Sequence, residues 1–173
     1  SSSPAKLVRA DRYGAEPTAF VDEIVEKYRS IRPAVLVLDP TSLLGPGEMS
    51  GNDGMAELMR AARALSKALG AAVRLVHHVS QVVARSQIQD QYAGRGGTAC
   101  ADNSRSQHQL SRLTDRNFDH EGSKYTLPPE VTQDDIAHGR ALAIFVHKLS
   151  YSERDSTPII LVRHGFRYTH IHL

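Results

Sequence analysis

Ala34-Val35-Leu36-Val37-Leu38-Asp39-Pro40 is the stretch that decides the fold. Five aliphatic residues without polar alternation read as a strand that is apolar on both faces. Such strands lie buried and central in parallel sheets. Upstream, Phe20, Val21, Ile24, Tyr28 and Ile31 form one stripe of a helix over about 18–30, with Pro17 suited to its first turn and Pro33 ending it. Residues 6–9 read as a short strand before it. Downstream, residues 41–53 hold Gly45, Pro46, Gly47, Gly51 and Asn52 and read as a loop. Asn52 or Asp53 can cap a helix over about 54–69, where Met55, Leu58, Met59, Ala62, Leu65 and Leu69 recur at helical spacing and Gly70 supplies the stop. Residues 72–77 form a second buried strand. Strand, helix and strand at these lengths predict a right-handed crossover and a parallel sheet.

The rear of the chain changes character. Residues 79–97 are polar and contain several Gln and Gly. A helix over 98–105 and a strand over 107–113 follow. A long polar segment, 114–138, precedes a strand over 141–147. Residues 159–163 and 166–172 flank His164-Gly165, a tight hairpin turn. The expectation is an α/β protein: a mostly parallel twisted sheet with helices on both faces in front, antiparallel C-terminal strands behind, in one domain over 1–173.

Composition narrows the class. The chain has 173 residues, 40% hydrophobic and 23% charged, a globular balance. Its 21 Lys and Arg against 19 Asp and Glu give +2, which excludes a basic nucleic-acid arm or an acidic tail. Cys100 is the single cysteine, so no intrachain disulfide exists, as suits a reducing compartment. The longest aliphatic run is 34–38, far short of the ~20 residues of a membrane span. The polar N-terminus shows no secretory h-region, and a cytoplasmic location is expected. The sequence begins Ser1-Ser2-Ser3-Pro4 without an initiator Met, so either it was processed or it starts inside a longer gene.

Asp39 is the foremost chemical candidate. An acid at the carboxyl end of an apolar strand lies where open α/β sheets bind ligands. Four or more apolar residues followed by Asp is also the Walker B pattern, whose carboxylate holds a nucleotide's Mg²⁺; Mg²⁺ keeps several waters and needs only one or two protein oxygens. The alternative is that Asp39-Pro40 merely starts a turn. His77-His78 closes the next strand, but adjacent strand residues point to opposite faces and cannot easily grip one ion. His78, or Gln81 after it, could instead sense a γ-phosphate. Gly94-Arg95-Gly96-Gly97-Thr98 lacks the Lys-Ser/Thr of a phosphate loop and could equally be a hinge. No Gly-Lys dipeptide occurs anywhere, so the chain has no Walker A lysine, and no GxSxG elbow is present. Arg105 and Lys148 flank rear strands, either as solvated cations or as fingers reaching a neighbouring subunit's nucleotide.

In order, the pieces are Val35-Leu36-Val37-Leu38-Asp39-Pro40, Gly47-Glu48, Asn52-Asp53, Val76-His77-His78, Gly94-Arg95-Gly96-Gly97-Thr98, Asp102-Asn103-Ser104-Arg105 and His147-Lys148-Leu149-Ser150-Tyr151. Over about residues 5–167 this series resembles the RecA-like ATPases of the RepA type, which are hexameric replicative helicases. The resemblance implies a RecA-like core, ATP and Mg²⁺ as cofactors, a homo-oligomeric ring and single-stranded DNA as partner. It implies Asp39 as the Walker B acid, His78 as the histidine-motif sensor, and Arg105 and Lys148 acting in trans. It also implies a loop over 79–97 facing the ring's channel, where Arg85 and Arg95 meet DNA phosphates. The family's Walker A loop and catalytic glutamate precede the strand that corresponds to residues 6–9. The chain would then hold the rear two-thirds of the domain and would not hydrolyse ATP alone. Two alternatives stand beside this reading: a P-loop-less, non-catalytic member kept for assembly or DNA contact, and a metal-dependent hydrolase using Asp39 with His77 or His78.

Overall fold

Short-range turn chemistry shapes the first element of the chain. In the computed structural model, which describes residues 5–46, 52–78 and 98–173, β1 (Val8–Asp11) turns back on β2 (Gly14–Pro17). The pairing is antiparallel, with Val8 opposite Pro17 and Asp11 opposite Gly14. The Asp11 carboxylate accepts the Tyr13 N–H at 2.7 Å, a local bond that favours the turn, and Gly14 takes φ +146°. The sequence reading had a strand two residues earlier and no hairpin. Gly-Ala-Glu-Pro carries no strand pattern, so β2 is recruited by its partner.

Helix α1 (Phe20–Tyr28) buries Val21, Ile24 and Val25. Then β3 (Val35–Leu38) leads into the short α2 (Thr41–Leu44), the long α3 (Asn52–Leu69) and β4 (Ala72–Leu75). Strands β3 and β4 pair in parallel, from Val35 opposite Ala72 to Leu38 opposite Leu75. The front core joins Leu7, Val8, Val21, Ile24, Leu38, Met55, Leu58 and Leu65.

Three expectations need correction here. The stretch 41–53 is not all loop, because α2 occupies its start, and α3 begins at Asn52 itself rather than after it. β3 is not buried on both faces: Leu38 faces the core at 6% exposure, while Val35 and Val37 are each 55% exposed. Strand pleating sends these two away from α1 and α3, onto a face left open among the described residues. The sheet is also not mostly parallel among the described residues. β3–β4 is the parallel pair there, and the other pairings are antiparallel.

After α4 (Ala99–Asn103), which belongs with the front unit, a second unit begins at Arg105. Its strands are β5 (Ser106–Arg112), β6 (Asn117–His120), β7 (Ser123–Thr126), β8 (Ala141–Leu149), β9 (Ile159–His164) and β10 (Arg167–Ile171), with α5 (Gln133–Ala137) before β8. Four of them form an antiparallel sheet in the order β10-β9-β8-β5, as the C-terminal pattern predicts. The polar segment 114–138 is more structured than expected. It holds the β6–β7 hairpin, turned by Glu121 and Gly122 at φ +49° and +79°, the signs a type I′ turn needs. It also holds α5, whose Thr132 and Asp135 cap each other reciprocally. Leu127, Val131 and Ile136 from this segment pack with Phe145, Ile160 and Val162 in the rear core.

Candidate functional site

The carboxyl edge of the parallel pair is the first cluster. Beyond the strands the ladder continues: Val76 N–H donates to Leu38 O at 2.9 Å, and Thr41 N–H donates to Val76 O at 2.9 Å. This carries the chain from the exposed Asp39, across a cis peptide to Pro40, into the start of α2. Thr41 is buried, at 1% exposure, and its Oγ1 shares a 2.7 Å hydrogen bond with His77 Nδ1. His78 is exposed. The two histidines therefore divide their work, as pleating requires: His77 turns to Thr41 and His78 is solvent-facing. No group of three or more His, Cys, Asp or Glu able to hold a metal occurs among the described residues. Asp39 offers one hard, solvent-reaching oxygen pair, which fits a hydrated Mg²⁺ and not a multidentate transition-metal site. For phosphate, the chain lacks the GxxxxGK[ST] loop that would cradle it.

The second cluster lies in the rear unit, where β5 starts and β8 ends. Ser106 pairs with Leu149 and Gln107 with Lys148, and Ser150 N–H donates to Arg105 O at 2.9 Å. The exposed Arg105 guanidinium stands 5.6 Å from the Tyr151 ring centroid, a cation–π placement. Arg105 and Lys148, singled out separately in the sequence, thus share one end of one sheet. Asp39 and His78 belong to the front unit and Arg105 and Lys148 to the rear one. Gln81, Arg85 and Arg95 lie outside the described residues.

Sequence reading missed the polar clamps behind both clusters. Arg63 on α3 donates to Asn103 Oδ1 at 2.8 Å and to Asn103 O at 3.2 Å. Asn103 in turn donates to Ala99 O at 2.9 Å. The Asn of the Asp102-Asn103-Ser104-Arg105 segment is therefore a structural tie. Cys100 in the same helix is half-buried against the front core, and burial pushes its thiol pKa up.

In the rear unit, β8 bulges at His147, because Gln107 faces Lys148 while His108 faces Val146. Arg154 fixes this bulge. It pairs with both Glu121 carboxylate oxygens at 2.6 and 2.7 Å and donates to Val146 O at 3.0 Å and His147 O at 3.3 Å. His147 Nε2 meets Gln109 Oε1 at 2.9 Å. The buried His120 stacks its ring against Phe145, centroids 4.5 Å apart. Burial lowers the His120 pKa, with Glu121 opposing and Arg154 adding to the fall. The Arg154 hydrogen bond holds the Glu121 carboxyl below its usual range. Glu121-Gly122 between two alternating four-residue runs was a readable hairpin signal; the pairing with Arg154, 33 residues away, was not.

Comparison with known proteins bears on the front unit and on the fold. The family model of an AAA domain matches residues 2–83, the segment that carries Asp39, Thr41, His77 and His78. No curated protein matches the sequence. Among solved structures, the ATPase domain of G40P superposes with a TM-score of 0.57 at 12% sequence identity, over 82% of this chain and 47% of that one. The chain thus spans about half the length of that structure. The front is similar to an AAA domain, and the α/β fold is similar to that of the G40P structure.

Proposed function

We propose that this chain is part of a RecA-like ATPase of the RepA type that acts on single-stranded DNA as a helicase or loader. The observation that carries the reading is Asp39. It is an exposed acid at the carboxyl end of a parallel strand, beside a histidine pair that closes the next strand, inside the segment similar to an AAA domain. Bound Mg²⁺–ATP would supply a polarised γ-phosphate. Asp39 would hold the metal through its waters, and the solvent-facing His78, with Gln81 following it in the sequence, would read the phosphate. Thr41 and His77 stiffen the edge. Arg105 and Lys148, juxtaposed at one sheet end, reach a neighbouring copy's site in a ring, and Arg85 and Arg95 meet DNA phosphates.

The chain has no Walker A lysine, so the 173 residues alone do not turn over ATP; turnover that disappears in Asp39→Ala would overturn that claim. In the full-length gene product, phosphate release should fall at least ~100-fold in Asp39→Ala and in Arg105→Ala. Mixing the two variants should recover activity, because one subunit supplies the acid and its neighbour the arginine. Equal loss without recovery refutes the shared site. The missing lysine also favours a second reading, a non-catalytic assembly or DNA-binding protein. In that case the full-length product releases no phosphate at all.

A further inference from the structure

The last hairpin combines features that neither cluster above uses. From residue 156 to 173 the sequence contains Arg163, Arg167, His164, His170 and His172 and no acidic residue. All the acids of the rear unit lie before it, and Glu121, Asp134 and Asp135 are taken by Arg154 and Arg140. Arg163 and Arg167 pair with no carboxylate among the described residues.

Register sorts the side chains onto faces. Tyr168 lies directly opposite Arg163, and His170 opposite Leu161. Tyr168 and His170 alternate along edge strand β10 with Thr169 and Ile171, so these two rings share one face, away from the buried Ile160 and Val162, and His172, just past the strand, packs against His170. The His170 and His172 rings touch, with centroids 4.3 Å apart and planes inclined by 55°, near Tyr168 in the sequence, which is 55% exposed. At the tip, beside Gly165 at φ +62°, Phe166 is fully exposed. Arg163, opposite Tyr168, shares the ring face, whereas Arg167, opposite His164, takes the other one. A wet sheet face of rings bordered by a guanidinium group suits unpaired bases. The rings stack on base faces, and Arg163 meets a phosphate. A duplex hides the base faces in its own stack and cannot use the platforms.

We infer that the β9–β10 hairpin is a single-stranded nucleic-acid binding surface, with Tyr168, His170 and His172 as stacking rings and Arg163 as the phosphate contact. None of these residues lies in the 79–97 segment, and the surface stands whether or not the chain belongs to an ATPase.

The test is fluorescence anisotropy of the full 173-residue chain with labelled dT15, rU15 and a 15-base-pair duplex at 50 and 200 mM NaCl. Binding of a single strand with weaker duplex binding is expected, and the dT15 and rU15 arms decide between DNA and RNA. Tyr168→Ala should weaken binding about tenfold or more, the usual loss of one stacked base. Arg163→Gln should flatten the log–log salt slope by about 0.7, one phosphate contact on a single strand. Photo-cross-linking to iodouracil-substituted dT15 should mark residues 163–172. All substituted positions on the hairpin are exposed, and circular dichroism checks that the variants stay folded. No binding at 50 mM salt, duplex binding as tight as single-strand binding, wild-type affinity in the hairpin variants, or cross-links confined to other residues each overturns the proposal.

Discussion

Replacing Thr41 by Val probes the joint between the two strand ends. Valine keeps the shape of a side chain that is 1% exposed but removes the hydroxyl that meets His77 Nδ1 at 2.7 Å. A net hydrogen bond contributes about 0.5–1.5 kcal/mol, and stranding a buried polar partner costs about 1–3 kcal/mol. His77 is only half-buried, so water recovers part of the loss, and about 1.5 kcal/mol is expected. With a urea m-value of about 2 kcal/mol/M, the midpoint falls by about 0.7 M. The chain has no Trp, so far-UV circular dichroism is the probe. At 222 nm it reports chiefly α1 and α3, both in the front unit. Thr41→Ser, which keeps the hydroxyl and loses one methyl, should cost only about 0.8 kcal/mol. A double-mutant cycle with His77→Leu isolates the pair and should return about 1 kcal/mol of coupling. Long-range ¹H–¹⁵N spectra supply a second readout: the His77 Nδ1 shift should move in Thr41→Val and stay in Thr41→Ser. A coupling under about 0.3 kcal/mol with an unmoved shift would refute the argument that this bond locks the edge beside Asp39.

Two further outcomes follow from charge and burial. The Thr132 hydroxyl, then Arg140, hold Asp135 at a pKa of about 2 against an ordinary 3.8. Its stabilisation is therefore complete above pH 3.8 and lost as pH falls towards 2. Acid unfolding of the rear unit, followed by NMR, should lose this pH dependence in Asp135→Asn, and an unchanged profile would count against the α5 cap. Burial raises the Cys100 pKa, so thiolate is scarce at neutral pH. Its reaction with a disulfide reagent should be slower than that of the urea-unfolded chain by more than tenfold, and equal rates would contradict its placement against the front core.

By itself the sequence determined what depends on neighbours along the chain. The stripe on α3, the stop at Gly70 and the two strands flanking the turn at His164-Gly165 all arise from side-chain periodicity and backbone preference within a few residues. Asp39 at a strand end and His77-His78 closing the next were legible for the same reason. Long-range pairing was not. Gly14–Pro17 becomes a strand because Val8–Asp11 lies alongside it, and Val35 and Val37 stay wet because pleating turns them from α1 and α3. Periodicity could not say which histidine of the pair faces inward. That was decided by Thr41, 36 residues earlier, whose buried hydroxyl needs a partner. Nor could it show that Arg105 and Lys148 share one sheet end, since β-register, and not sequence distance, brings residues 43 apart together there. A strand's identity is local, but its company is fixed only when hydrogen bonds and apolar surface from distant segments are satisfied together.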